Sequence, residues 1–366
     1  MRKLVTIRKV TGLIPIEGAD NIQIGVIDSG WQVIVKKGEF KVGDFCLFYE
    51  IDSFLPMEPQ YSFMKPTTYN GKEGYRLRSL KLRGALSQGL ALPLSMFNEF
   101  KDYDSLDIET AYYEKTDFSE KLGVIKYDNQ QIAGSGGGLK AGNQEGKFPS
   151  FIPKTDQERI QNLTSWFSTK TDDLFEETLK LDGSSMTCYK IKHNLTFFDK
   201  VKKFFGLSVK DYKFGVCSRN LELRRPKDSA DKQSDFWSTA IKLEIESKIP
   251  AGFAIQGELI GPKIQVNHEK VQELQYYVFD VYDINKGEYL LPSDRHKFCF
   301  ENDIRHVPVL GVTSPLKMNL QELLKHVEGQ SINPGTISEG RVYKSTTQAG
   351  VSFKVISNKY LLRSEK

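Results

Sequence analysis

Lys180, Leu181, Asp182, Gly183, Ser184 and Ser185 form the hexapeptide in this chain best suited to chemistry. A lysine ending an apolar strand segment, with a carboxylate two residues on and a glycine turn, suits an activated amine. Burial disfavours the ammonium form, lowers its pKa and turns lysine into a nucleophile. By itself K-x-D-G is short enough to be an ordinary surface turn. Four further elements follow in order, each in a strand-like stretch: Glu258 in QGELIG, Phe279-Asp280 in YYVFDVYDI, Glu339 in SEGRVYK and Lys354 in VSFKVISNK.

This ordered set resembles the covalent nucleotidyltransferase superfamily of ATP-dependent ligases and capping enzymes, over about Phe148 to Arg363. Attack on the α-phosphate of ATP needs a neutral amine, an in-line pyrophosphate and neutralisation of the charge spreading over the phosphoryl oxygens. The resemblance implies that Lys180 is the nucleophile, forming a lysyl phosphoramidate with AMP. It implies that Asp182, Glu258 and Glu339 hold a hydrated Mg²⁺ or Mn²⁺ mainly through its waters, because Mg²⁺ dehydrates reluctantly. Lys354 is expected at the α-phosphate and Phe279 on the adenine. Thr178, Leu179 and Lys344 complete the implied nucleotide-binding set. Arg219, in GVCSRNLEL, falls where the superfamily places an arginine for the ribose or the RNA terminus. Lys154 and Arg159, in FIPKTDQERIQ, match a segment that RNA ligases carry before the nucleophile and are expected to contact phosphates.

The order of domains narrows the family. The chain ends at Lys366, shortly after the last motif, so no C-terminal OB domain of the DNA-ligase or capping-enzyme kind is expected. A barrel-like region comes first instead. That arrangement resembles a family of ATP-dependent RNA ligases in which an N-terminal OB module precedes the adenylyltransferase domain, and which seal 3′-OH/5′-phosphate nicks. A 2′-OH and A-form geometry offer such an enzyme contacts that DNA lacks. The implied partner is RNA with 3′-OH and 5′-phosphate ends, expected as a nicked duplex, with ATP as AMP donor, Mg²⁺ or Mn²⁺ as cofactor and the protein acting as a monomer. A DNA ligase, a GTP-dependent capping-type enzyme and a non-catalytic RNA-binding protein are the competing readings. One departure stands out: many relatives end on K-x-K, whereas this chain has Lys354-Val355-Ile356, leaving Lys359 or Lys344 to replace the second lysine.

The expected fold is α+β: an N-terminal OB-like β-barrel, then a C-terminal nucleotidyltransferase domain, ATP-grasp-like, of antiparallel sheets with flanking helices. The module with its linker is placed at 1–130 and the nucleotidyltransferase domain at 148–366. LVTIRKV, IQIGVID, WQVIVKK and DFCLFYEI alternate with turn residues at the spacing of a small barrel. The stretch Gly74 to Pro93 continues it and adds Arg76 and Arg78, which are expected on RNA. AGSGGGLKAGNQEGK at 133–147 reads as a linker or mobile loop. It is no Walker A loop, having three residues between Gly142 and Gly146 where four are needed, and Phe148 where Ser or Thr should stand. Thr155-Asp156-Gln157-Glu158 fits a capping box and predicts a helix start. Further helices are predicted from about Ser234 to Lys248, with Trp237, Ile241 and Ile245 on one face, and from Leu320 to Val327.

Composition bounds the rest. The chain has 366 residues, 51 Lys+Arg against 47 Asp+Glu, and is 39% hydrophobic and 11% aromatic. This excludes a disordered or fibrous protein and suggests two domains. Four scattered cysteines and five histidines without H-x-x-x-H indicate neither a disulfide framework nor a zinc site, and point to reduced thiols. No leader-like segment or apolar run of about 20 residues is present, so an intracellular protein is expected, in cytoplasm, nucleus or host cytoplasm. Residues 190–227 hold eleven Lys or Arg against three Asp or Glu, with aromatic residues between them, a pattern that phosphate-bearing polymers recruit.

Overall fold

The computed structural model describes residues 3–127, 144–192, 211–227 and 234–363. The chain separates into two compact units, Met1–Ser135 with Leu361–Lys366, and Gly136–Tyr360. No helix among the described residues is long and apolar enough to cross a membrane.

The first unit is built from short antiparallel strands. β1 (Val5–Pro15), β2 (Ile22–Ile27), β3 (Gln32–Lys36) and β4 (Phe45–Tyr49) form one sheet, joined later in the chain by β10 (Leu90–Leu92), in the order β10-β4-β1-β2-β3. A second sheet holds β5 (Ser53–Leu55), β6 (Pro66–Tyr69), β7 (Lys72–Arg76) and β11 (Ile125–Lys126) in the order β11-β5-β7-β6, and β8 (Leu80–Leu82) with β9 (Ala85–Ser87) makes a hairpin. The long β1 belongs to both halves of a curled sheet, pairing with β4 through its first residues and with β2 beyond a register shift at Val10/Gly12. Such a bulge bends a strand and lets a sheet close on itself. Closure is completed where Gln88 N donates to Gln32 O (2.7 Å) and Ile34 N to Ser87 Oγ (3.0 Å). Val10, Ile27, Trp31, Val33 and Phe48 fill the interior, which gives the expected OB-like barrel.

The second unit sets a seven-stranded sheet beside a five-stranded one. The larger runs β12 (Gln144–Lys147), β17 (Leu221–Leu223), β16 (Tyr212–Cys217), β15 (Ser184–Lys192), β18 (Phe253–Ile260), β19 (Gln275–Asp283), β20 (Glu288–Tyr289). The smaller runs β13 (Glu158–Arg159), β23 (Ser352–Ile356), β22 (Gly340–Ser345), β14 (Phe175–Lys180), β21 (Val309–Thr313). Each sheet buries one face in its own core. Met186, Ile255, Leu259, Val278 and Val281 pack on the helices Asp235–Lys242 and Pro292–Glu301 through Trp237 and Phe298. Phe175, Tyr343, Phe353 and Val355 pack on the helix Leu320–His326 through Leu323 and Leu324. The buried indole of Trp237 donates to Leu223 O at 3.0 Å, as an enclosed N–H must. A third cluster, Leu179, Leu181, Ile260, Val271 and Val307, with Tyr277 and Phe279 against it, joins the two sheets.

Three sequence expectations are corrected. The TDQE segment starts no helix: β13 pairs in parallel with β23, Glu158 opposite Phe353 and Arg159 opposite Lys354, and a short 3₁₀ turn follows at Ile160–Asn162. The Glu158 carboxylate accepts from Asn162 Nδ2 instead of capping backwards. The helix predicted from Ser234 to Lys248 is two pieces, Asp235–Lys242 and Ile245–Lys248, broken at Glu244, which adopts a left-handed conformation (φ 54°). Trp237 and Ile245 are buried, but Ile241 is 50% exposed, on the outer face. The glycine-rich stretch ends in a strand, since Gln144–Lys147 pairs with β17; its residues 133–143 lie outside the described residues.

Candidate active site

The Lys180–Gly183 segment is where the chain crosses from one sheet to the other: β14 ends at Lys180 in the smaller sheet and β15 begins at Ser184 in the larger. Register then brings the carboxylates in. Lys180 pairs with Gly340, which places Glu339 at the start of β22, and Ser185 pairs with Glu258 on β18. The crossover is tight enough to demand glycine: a Cβ on Gly183 would lie 2.3 Å from Leu259 O. Gly340 has φ +151° and a Cβ there would meet Val355 O at 2.1 Å, so β22 and β23 approach through a residue without a side chain.

Lys180 Nζ lies 2.6 Å from Glu339 Oε2, with the lysine side chain a quarter exposed. Burial pulls the lysine pKa down, but Glu339, Glu258 and Asp182 together outweigh it and hold the group above the ordinary lysine value. This corrects the sequence expectation of a lowered pKa, because a cluster of carboxylates favours the ammonium more than desolvation disfavours it. Glu258 shows the converse. Burial, reinforced by Glu339 and Asp182 and opposed by Lys180, pushes its carboxyl up to about 8. Three carboxylates acting on one ammonium carry excess negative charge, which suits a hard divalent cation held through its waters. Asp182 accepts from the Tyr360 hydroxyl at 2.6 Å.

Lys354, on β23, is 3.3 Å from Asp156 Oδ1; burial holds its pKa below the usual value, and the neighbouring cations Lys180 and Arg159 add to this. The other oxygen of Asp156 lies 3.4 Å from Arg219 Nη2. One carboxylate on the loop before β13 therefore bridges Lys354 and Arg219. Lys154 reaches Asn220 Oδ1 at 2.6 Å beside the same arginine. Lys154, Arg159, Arg219, Lys354 and Lys180 thus share one cleft. Phe279, partly buried, packs against the cluster joining the sheets. Thr178 is buried, its hydroxyl donating to Val342 O (3.2 Å), and Leu179 is buried in the same cluster, so both build the floor with their side chains.

Both stand-ins for the second lysine of the last motif are engaged with other partners. Lys344 is buried, ion-paired with Asp280, and donates to Phe279 O at 2.7 Å. Desolvation lowers its pKa to about 8. Lys359 is exposed and pairs with Glu328 at 3.0 Å. Ile356, where the lysine would stand, is 4% exposed. Arg76 and Arg78 lie in the first unit, Arg76 with its guanidinium 4.2 Å from the Tyr127 ring centroid and Arg78 exposed. Of the basic stretch 190–227, residues 193–210 lie outside the described residues. In its described part Lys213 pairs with Glu222, and Arg225 grips Glu246 with both nitrogens.

Asp156, Asp280 and Tyr360 were not singled out by sequence reasoning as site residues. Asp156 was read as part of a cap and Asp280 as a neighbour of Phe279; nothing local in the sequence marks Tyr360. A separate group, Glu176, His296 and His306, also brings three potential metal ligands together. There, however, Arg295 pairs with Glu176 and donates its Nε to His306 Nε2 at 2.9 Å. The guanidinium supplies the positive charge and uses the imidazole lone pair, so this is a structural network around the buried Glu176–Arg295 pair.

Comparison with known proteins agrees with this geometry. An OB-fold domain profile matches residues 4–94 and an RNA ligase profile matches residues 173–356. No curated protein sequence matches the chain. Among solved structures, a Naegleria gruberi RNA ligase mutant with AMP and Mn is 37% identical, over 98% of each chain, at a TM-score of 0.76. Another mutant of the Naegleria gruberi enzyme, with ATP and Mn, is 35% identical over 100% of each chain, also at 0.76. The Naegleria gruberi RNA ligase with PPi is 36% identical, covering 99% of this chain and 98% of that one, at 0.74. With both units matched along their whole length and the lysine and carboxylates gathered in one cleft, the chain belongs to the RNA ligase family.

Proposed function

We propose that this RNA ligase joins 3′-OH and 5′-phosphate ends through a covalent intermediate on Lys180, with ATP as the AMP donor. The observation that carries the reading is the contact of Lys180 Nζ with Glu339 at 2.6 Å, flanked by Glu258 and Asp182. In the first step Lys180, having given a proton to the adjoining carboxylates or to water, attacks the α-phosphorus. The bond to the β-phosphate oxygen breaks, pyrophosphate leaves, and a phosphoramidate forms. In the second, an oxygen of the RNA 5′-phosphate attacks that phosphorus, the P–N bond breaks, and Lys180 is regenerated as AppRNA forms. In the third, the 3′-OH attacks the 5′-phosphate of AppRNA and AMP departs.

Lys354 and Arg219, which share Asp156, are placed to exchange that carboxylate for the α-phosphate and for a ribose hydroxyl or the RNA terminus, respectively. Phe279 offers an aromatic face to the base. Mg²⁺ or Mn²⁺, held among Asp182, Glu258 and Glu339, supplies neutralisation of phosphate charge and favours the neutral amine of Lys180. The relatives solved with AMP and Mn and with ATP and Mn support an adenine nucleotide and a divalent cation here. Lys154 and Arg159, with Arg76 and Arg78 of the first unit, contact phosphates of a nicked duplex.

The test is incubation of wild-type and Lys180→Ala protein with α-labelled ATP and Mn²⁺, followed by denaturing electrophoresis. Label on the wild-type polypeptide alone is expected, together with sealing of a nicked RNA duplex. Label on both proteins, or on neither when both are folded, would remove Lys180 from its role.

A further inference from the structure

The turn that follows the last motif strand is tied to two of the cleft carboxylates. Ser357, fully buried, donates its backbone N–H to Glu339 O at 2.9 Å. Its Oγ accepts from the Tyr360 N–H at 3.2 Å, and the Tyr360 hydroxyl donates to Asp182 Oδ2 at 2.6 Å. Four residues therefore connect the backbone of Glu339 to the side chain of Asp182. Tyr360 is 8% exposed, and its ring meets His268 edge-on with centroids 5.0 Å apart. His268 in turn sits 2.6 Å from Ile337 O, two residues before Glu339. From another side, the fully buried Glu269 accepts the backbone N–H of Asp182 at 3.4 Å.

Asp182 is thus gripped at its backbone and at one carboxylate oxygen by groups outside the five motifs. A carboxylate on a crossover turn can swing about its terminal torsion, which has broad minima. A short hydrogen bond from a buried phenol to an ionised oxygen is among the stronger kinds and removes that freedom. Mg²⁺ and Mn²⁺ sites demand near-ideal octahedral geometry, so carboxylates acting on the ion or its waters must be held in place. We infer that Tyr360 is a positioning residue: it locks the Asp182 carboxylate in register with Glu339 so that the two meet the same divalent cation. This rests on the reading of Asp182 as a cation-holding carboxylate. The same turn sends Lys359 outward to Glu328, so its contribution to the site runs through the tyrosine.

The test is a double-mutant cycle on the full chain, with Mn²⁺ affinity read by electron paramagnetic resonance of unbound Mn²⁺ in the presence of AMP. Tyr360→Phe keeps the ring against His268 and deletes only the O–H. It is expected to weaken Mn²⁺ binding about tenfold, the lower end of what loss of an outer partner of a metal ligand costs. The Mn²⁺ concentration needed for half-maximal lysine adenylylation should rise by the same factor, with the maximal rate recovered at saturating Mn²⁺. In an Asp182→Ala background Tyr360→Phe should add nothing. Unchanged Mn²⁺ affinity in Tyr360→Phe, or an equal loss in both backgrounds, would overturn the inference while leaving the role of Asp182 intact. Unchanged affinity in Asp182→Ala alone would overturn the reading beneath it.

Discussion

Glu258 gives the cleft its pH signature. Its carboxyl ionises at about 8 in the fold against an ordinary 4.5. Below about pH 4.5 it is protonated in folded and unfolded chains alike. Between there and about pH 8 unfolding releases a proton, so stability falls as pH rises, and above that window the penalty is complete. Glu258→Gln removes the penalty along with the charge. In EDTA this variant should melt above wild type at about pH 8.5, converge on it near about pH 5, and fail to form the lysyl adduct. A variant melting below wild type at both pH values would contradict the burial argument. Lys344 tests the opposite sign of charge. It is enclosed with Asp280, and Lys344→Met would leave that carboxylate buried with Arg295 Nη1 at 4.0 Å as its remaining cation. Denaturant unfolding should show a loss of about 3 kcal/mol, typical of breaking a buried pair from one side.

At the level of elements, the site depends on one crossing. β14 lies in the smaller sheet and β15 in the larger, so Lys180 and Asp182 face a cleft to which β22 brings Glu339 and β18 brings Glu258. Gly183 sets how closely β15 meets β18. Gly183→Ala forces its new methyl group against Leu259 O, an overpacking expected to cost about 1–3 kcal/mol. A displacement of Asp182 and Lys180 of about 1 Å would lower the adenylylation rate about 100-fold. Single-turnover labelling on protein verified as folded would measure it, and an unchanged rate would show that the turn tolerates the shift. The failed capping box belongs to this scale as well. Hydrogen bonds to β23 hold Glu158 and Arg159 extended, and Asp156 is drawn to Lys354 and Arg219, so tertiary pairing overrides a local helix signal.

For the molecule as a whole, the two units divide the labour proposed for them. In that proposal lysine adenylylation uses only groups of the second unit, whereas sealing also uses a grip on RNA phosphates. Raising salt from about 50 to about 200 mM should barely alter adduct formation but cut RNA sealing at subsaturating RNA by tenfold or more, as counterion release requires. Arg76→Ala with Arg78→Ala should reproduce that separation at low salt, with the adduct retained and sealing reduced. Equal loss of both activities would place these arginines in the fold instead, through the packing of Arg76 on Tyr127.

The five ordered motifs and the strand periods were legible from the sequence because each is local. A nucleophile, its carboxylates and their strands leave marks within a few residues, and alternation shows which face is buried. The barrel and the strands that carry Lys180, Glu258, Phe279, Glu339 and Lys354 followed from these marks. Other features depended on residues far apart in the chain. Asp156 meets Lys354 across 198 positions and Tyr360 meets Asp182 across 178, and neither pairing has a spacing to read. The direction of the Lys180 shift was likewise a tertiary decision. Residue type determined that lysine can be an amine nucleophile, but its protonation is set by how many carboxylates the two sheets bring to it, and electrostatic energy depends on distance in space.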